Sequence, residues 1–229
     1  MGLIYETIVK NYRYGDDNQF HIVTRLLHTI KIPILLGRTT MKKLLLIAML
    51  GYSQLTFAAW TLDSTQSQLN FNTTKNDVVT ETQRFTTLSG HVTDAGKADL
   101  VIALASVDTK ITLRDERVRD WLFETKNYPA AVFTTTLDIK ALENLAVGSS
   151  QTQTLKGSLQ LHGQQKPIMA QVKITRLADK QVEVTSIEPV IVNAADFQLT
   201  EGIEKLRAVM MLNKITPQVP VSFRLVFTQ

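Results

Sequence analysis

The feature that most limits how this chain can fold is a period-two alternation of apolar and polar residues, repeated in many short segments after residue 60. Leu69 and Phe71 alternate with polar neighbours, as do Val221, Phe223 and Leu225 near the end of the chain. The same pattern recurs at residues 100–104, 133–139, 155–161, 172–174 and 182–184. Such alternation predicts half-buried antiparallel strands. About eight strands in a domain of this size predict an all-β protein, either a barrel or a sandwich.

Three stretches break the alternation. Residues 162–167 are rich in Gly, Gln and Pro and predict the turn of a hairpin between two strands. Residues 112–123 predict a short helix with one apolar face, formed by Leu113, Val118, Trp121 and Leu122. Trp121 and Phe123 are expected to anchor this helix to the barrel. Residues 201–212 have helical spacing of apolar side chains, and this second helix is expected to close one end of the barrel.

Residues 41–58 have the anatomy of a secretory signal peptide. Met41 is followed by Lys42 and Lys43, then by an unbroken apolar run, and Thr56-Phe57-Ala58 ends the segment with small residues at the two positions that cleavage requires. The apolar run is too short to span a bilayer, which takes about 20 residues. We therefore expect a mature domain of residues 59–229 that starts at about Ala59 and has no integral membrane span. Residues 1–40 are expected to be an upstream extension outside the native product, which would begin at Met41, and a genuinely extended leader is the alternative.

The charge balance argues against nucleic acid as a partner. The net charge of +4 comes from residues 1–58, and residues 59–229 hold 18 basic and 18 acidic side chains. A nucleic-acid-binding domain would instead carry a basic excess. The chain has no Cys, so it can form neither a disulfide nor a thiolate metal site. A chain of this length can bury a sufficient core as one domain without disulfides.

The order of several short motifs resembles the YceI family of exported bacterial proteins. The motifs are Trp60-Thr61-Leu62-Asp63-Ser64, Phe85-Thr86-Thr87-Leu88-Ser89-Gly90, Ala105-Ser106-Val107-Asp108-Thr109, Arg114-Asp115, Tyr128-Pro129-Ala130-Ala131-Val132-Phe133 and the segment 157–167. Family members often have an Arg before an Asp-Phe-Gly, whereas this chain reads Val192-Asn193-Ala194-Ala195-Asp196-Phe197-Gln198. The resemblance implies a lipocalin-like antiparallel barrel with a long apolar pore. It also implies a periplasmic location and a ligand that is an isoprenoid lipid or a quinone with an isoprenoid tail, with no other cofactor and no catalysis.

Candidate site residues follow from a pore of this kind. Its lining is expected to include Phe71, Phe85, Leu104, Phe133, Phe197, Met210 and Phe223. Arg114 and Asp196 are the candidate contacts for a head group. The charged run at residues 114–117 is also typical of a helix surface with its own ion pairs, and we favour that interpretation.

Two other functions remain as alternatives. A carbohydrate-binding or adhesive module would use exposed aromatic platforms, but residues 59–229 hold seven Phe and only one Tyr, which favours an internal cavity. A hydrolase would need a nucleophile and a base in reach of each other, and no Gly-x-Ser-x-Gly elbow is present. His91 and His162 are the only histidines after residue 58, so a metal site is not predicted. The oligomeric state, including a homodimer, is left open.

Overall fold

The computed structural model of the protein describes residues 60–229, so the predictions for the upstream extension and the signal peptide lie outside the described residues. This part of the chain forms a twelve-stranded antiparallel sheet. The strands are β1 (Trp60–Leu62), β2 (Gln68–Lys75), β3 (Val79–Phe85), β4 (Leu88–Val92), β5 (Lys97–Ala103), β6 (Val107–Asp108), β7 (Ala130–Thr136), β8 (Ser150–Leu161), β9 (Gln164–Ala178), β10 (Gln181–Ser186), β11 (Val190–Asn193) and β12 (Gln218–Thr228).

Eight of these strands close into a barrel. Their order is β1, β4, β5, β7, β8, β9, β10 and β12, and the ring closes where Thr228 of β12 lies opposite Thr61 of β1. β2 pairs with β12, β3 pairs with β2, and β6 pairs with β3, while β11 pairs with the first residues of β12. The predicted antiparallel barrel of about eight strands is confirmed, and the structure adds further strands to it.

The alternating apolar and polar residues of the strands occupy the two faces of the barrel wall. In β4, Leu88, Gly90 and Val92 are buried, and the intervening Ser89 and His91 are exposed. Successive side chains of a strand point to opposite faces, so one face fills the interior while the other meets water. The predicted hairpin is the long β8–β9 pair. Its turn is shorter than expected, because β9 begins at Gln164 and pairs at once with Leu161.

Three short helices accompany the sheet: α1 (Thr112–Arg117), α2 (Ile139–Glu143) and α3 (Thr200–Val209). A single π-helical turn, Val118–Leu122, follows α1 directly. Within residues 60–229, no helix has the length and apolar character that crossing a bilayer requires.

The predicted apolar face of the first helix was partly wrong. Leu113 is 54% exposed, whereas Val118 and Phe123 are buried and Trp121 is half-buried. The wider π-helical turn changes the angular spacing of side chains, so a stripe drawn with 3.6 residues per turn does not hold across it. The second predicted helix was placed well at its start, but it ends at Val209 rather than at residue 212.

The two helical segments pack closely because α3 presents a glycine to the π-helical turn. A Cβ atom on Gly202 would lie 2.5 Å from the carbonyl oxygen of Trp121 and 2.7 Å from the Cα of Leu122. Buried side chains of α3, Ile203 and Leu206, join the core cluster that contains Val118 and Phe123. α1, the π-helical turn and α3 therefore form one packed layer on the barrel.

Candidate functional site: an apolar cavity inside the barrel

The barrel interior holds a cavity of about 270 Å³. Its wall is formed by inward-facing side chains of the strands together with residues of the helices, and most of these side chains are aliphatic or aromatic. The wall includes members of both buried core clusters, so the cavity connects them. An apolar cavity with a few polar groups is the form that small-molecule sites usually take.

The cavity is elongated along β12. Val219 and Phe227 both line it, and the two residues are about 26 Å apart along the strand at roughly 3.3 Å per residue. Phe227 lies at the end where Trp60 and Leu142 contribute to the wall. Val219 lies at the opposite end, which we call the polar end because Lys75 and Arg114 line the cavity there.

Six of the seven predicted pore residues lie on the cavity wall, namely Phe71, Phe85, Leu104, Phe133, Met210 and Phe223. Phe71 and Phe85 stack with ring centroids 5.1 Å apart, and Phe85 lies 5.8 Å from Phe123. Phe197 is 1% exposed and belongs to the core, but it is not among the residues of the wall. Contact between these side chains and a ligand stays a prediction.

The ring of Phe133 reaches the cavity over a glycine of the neighbouring strand. A Cβ atom on Gly157 would lie 2.4 Å from the Cζ atom of Phe133 and 2.5 Å from the carbonyl oxygen of Thr134. No real Cβ atom approaches other atoms so closely, so only glycine leaves room for this ring on the β8 strand. Gly157 therefore helps to determine the position of the Phe133 ring in the cavity wall.

The inner face of the β2–β3 hairpin changes from apolar to charged toward the polar end. Leu69 lies opposite Phe85, then Phe71 opposite Gln83, Thr73 opposite Glu81, and Lys75 opposite Val79. Gln83 is only 6% exposed, and its Nε2 donates a hydrogen bond of 3.0 Å to Oγ1 of Thr73. Buried polar side chains are usually hydrogen-bonded, and the partner of Gln83 is Thr73.

Glu81 bridges two cations at this end. Its Oε2 atom lies 2.7 Å from Nζ of Lys75 and 2.6 Å from Nη1 of Arg114. The hydrogen bond from Lys75, and then the charges of Arg114 and Lys75, hold the pKa of Glu81 below its ordinary value. The three groups together carry one net positive charge.

Arg114 is fixed by its neighbours but keeps one buried donor without a partner. Its Nη2 donates to the carbonyl oxygen of Thr109, and Asp115 accepts a hydrogen bond of 2.8 Å from the backbone N–H of Thr109. The Nε atom of Arg114 is buried and has no hydrogen-bond partner among residues 60–229. Leaving a buried donor unsatisfied is costly, so an acceptor brought to this position would be favoured.

The other predicted head-group residue lies elsewhere. Asp196 is exposed on a 3₁₀ turn, Ala194–Phe197, and does not contribute to the cavity wall. The structure therefore brings Arg114, but not Asp196, to the polar end.

Sequence reasoning missed Lys75, Glu81 and Gln83. The signal was present, because Thr73 and Lys75 continue the inward positions of Leu69 and Phe71 along the same strand. Polar residues on the inward side of an alternating strand indicate a polar part of the interior.

The two histidines of residues 60–229 lie apart from the cavity. His91 is exposed on β4, and His162 lies in the β8–β9 turn with its ring 4.3 Å from that of Tyr128. Within the described part of the chain, no three His, Asp or Glu side chains come together in a way that could hold a metal ion.

Comparisons with known proteins give a family match and several structural relatives, of which two are described below. The model of the YceI-like domain matches residues 60–227. A polyisoprenoid-binding domain from Saccharophagus degradans, implicated in plant cell wall breakdown, is 42% identical with a TM-score of 0.74, over 75% of this chain and 99% of that chain. BcnA of Burkholderia cenocepacia is 19% identical with a TM-score of 0.56, over 72% of this chain and 98% of its own, which is a likeness of fold. No curated protein sequence matches the chain.

Proposed function

Because the chain belongs to the YceI-like family, we propose that it binds one long apolar chain inside the barrel and performs no chemistry on it. The ligand class is an isoprenoid lipid or the isoprenoid tail of a quinone. The observation that carries this proposal is the elongated apolar cavity, which runs beside β12 from Val219 to Phe227. The polyisoprenoid-binding domain of S. degradans supports the same class of ligand.

Burial of the chain supplies the binding free energy. Each buried methylene group contributes about 0.8 kcal/mol, so ten of them contribute roughly 8 kcal/mol. Loss of translational freedom and ordering of a flexible chain oppose this by several kcal/mol. A long tail is therefore needed for tight binding, and the length of the cavity suits one.

The proposed orientation places the head group at the polar end. Arg114, Gln83 and Thr73 offer hydrogen-bonding groups there. The opposite end, with Trp60 and Leu142, is mostly apolar, and its buried donor without a partner among residues 60–229 is Nε1 of Trp60. A polar head group that enters an apolar cavity loses its hydration and must gain hydrogen bonds in exchange, so the end with more hydrogen-bonding groups is favoured. The tail then extends toward Leu142.

The proposed location is the periplasm. The support is the signal-peptide pattern of residues 41–58 and the exported character of the family that the sequence resembles. Cell fractionation followed by N-terminal sequencing tests this, and we expect the exported protein to begin at about Ala59. Recovery of intact protein only from the cytoplasm would contradict the proposal.

Titration of delipidated protein with a long-chain polyprenol tests the binding function. We expect saturable binding, and mass spectrometry should recover the lipid unchanged. Phe133→Asp places a charge on the cavity wall and should reduce affinity by at least about a hundredfold, because the carboxylate must be desolvated next to the tail. The matched control is Thr136→Asp, on the same strand but exposed and opposite Lys97, and it should bind as the unmodified protein does.

Two outcomes would contradict the binding function. One is the absence of saturable binding to any long-chain isoprenoid, which would favour the carbohydrate-binding alternative. The other is an equal response of the Phe133 and Thr136 variants, which would place the lipid outside the barrel.

A further inference from the structure

The polar end carries an anion of its own, and this bears on which head groups the cavity accepts. Glu81 contacts both Lys75 and Arg114 through a single oxygen atom, Oε2. The side chains of Lys75 and Arg114 are 17% and 14% exposed, so solvent screens these contacts only in part. Both cations already have a carboxylate partner before any ligand arrives.

We propose that Glu81 is a specificity-determining residue, which makes the cavity favour lipids with uncharged, oxygen-bearing head groups over phosphorylated lipids. This inference rests on the proposed lipid-binding function and names the class of head group for the same site. It assigns Glu81 the role of an internal counter-ion that a phosphate would have to displace.

The geometry disfavours an anionic head group. A phosphate at the polar end would compete with Glu81 for Lys75 and Arg114 while lying within a few ångströms of its carboxylate. Like charges at such distances repel strongly where water is partly excluded. The hydrogen bond from Lys75 and the charge of Arg114 lower the pKa of Glu81, so its carboxylate stays ionised at neutral pH.

An uncharged head group meets no such competition. The buried Nε–H of Arg114 has no hydrogen-bond partner within residues 60–229. A small movement of the side chains around it would let it donate to a carbonyl or hydroxyl oxygen while Nη1 keeps its contact with Glu81. The carbonyl oxygen of Thr109 and the carboxylate of Glu81 hold the other two guanidinium nitrogens in place. One acceptor oxygen on the ligand would therefore give each of the three guanidinium nitrogens of Arg114 a hydrogen-bond partner.

The test compares a polyprenol with the polyprenyl phosphate of the same chain length. The unmodified protein should bind the polyprenol more tightly. Glu81→Gln removes the internal anion and keeps the shape of the side chain, so it should tighten binding of the phosphate by about tenfold or more and change binding of the polyprenol by no more than about twofold. Lys75→Met removes one cation and should weaken binding of the phosphate more than binding of the polyprenol.

Controls separate the local effect from general charge and from folding. Glu204→Gln makes the same chemical change on α3, where Glu204 pairs with Arg207 and lies outside the cavity wall, and it should alter neither affinity. Thermal unfolding of each variant checks the fold. If Glu81→Gln does not fold, Glu81→Ala removes the same anion and makes the same test, and the preference of the unmodified protein for the polyprenol is measured without any variant.

The possible results distinguish this inference from the function beneath it. Saturable polyprenol binding with the phosphate-to-polyprenol ratio unchanged in Glu81→Gln overturns the role of Glu81 and leaves the lipid-binding function standing. Tighter binding of the phosphate by the unmodified protein overturns it as well. Failure of the unmodified protein to bind either lipid overturns both.

Discussion

At the scale of single residues, Asp63 shows how one carboxylate organises the turn that leaves β1. Its Oδ1 accepts hydrogen bonds from the backbone N–H and the hydroxyl of Thr65, at 2.9 and 2.6 Å, and its Oδ2 accepts one from Nε2 of Gln66 at 2.6 Å. The side-chain hydrogen bonds of Thr65 and then Gln66 lower the pKa of Asp63 from its ordinary 3.8 to about 2. Asp63 is therefore ionised more readily in the folded protein than in the unfolded chain.

This depressed pKa predicts a loss of stability in acid. Because the folded protein holds the proton of Asp63 more weakly than the unfolded chain, the stabilisation is fully present above pH 3.8 and is lost as the pH falls toward about 2. We expect Asp63→Asn to flatten the decline of the unfolding free energy over this range, as measured by urea unfolding at a series of pH values. Asp179→Asn, an exposed change in the β9–β10 turn, is the control. An equally steep decline in Asp63→Asn would contradict the assignment.

At the scale of secondary-structure elements, the sequence predicted strands well and local irregularities poorly. The alternation in β4 and β12 indicated strands because burial on one face imposes a period of two on the residues. No comparable pattern in the sequence indicates the π-helical turn after α1. This turn packs against Gly202 of α3, which is distant in the sequence. The polar inner face of β2 could have been read from Thr73 and Lys75, which continue the inward positions of the strand. The contact between Glu81 and Arg114 could not, because these residues come together only in the folded barrel.

The helical layer gives a prediction that separates its two aromatic side chains. Phe123 is 7% exposed and packs near Phe85, whereas Trp121 is half-buried and carries the guanidinium of Arg117 over its ring at 5.5 Å. Phe123→Ala should therefore cost about 3–5 kcal/mol of unfolding free energy. Trp121→Ala should cost less, about 1–2 kcal/mol, because part of its ring is already in water. Chemical denaturation of both variants measures the difference, and a larger loss for Trp121→Ala would mean that the π-helical turn is packed differently.

At the scale of the whole molecule, the barrel combines a fixed length with two unlike ends. α2 places Leu142, which is 6% exposed, on the cavity wall at the apolar end, and the polar end lies at the far end of β2 and β3. A ligand held by its head group at the polar end can extend its tail only as far as the wall near Leu142. The length of the cavity should therefore limit the length of the tail that it can hold.

Such a limit predicts how the affinity for polyprenols depends on the length of the tail. In a series of polyprenols, each added five-carbon unit should strengthen binding, by up to about 4 kcal/mol before the cost of ordering the chain, until the tail reaches the apolar end. Further units should then add little, and calorimetric titration of the series would give the length at which the gain stops. Leu142→Phe fills the apolar end and should move that point to a shorter tail. Ala141→Phe places the same ring on the exposed side of α2 and should leave it unchanged, since Ala141 is not on the cavity wall. Affinity that rises without limit, or that responds equally to both variants, would show that the tail leaves the barrel rather than ending near Leu142.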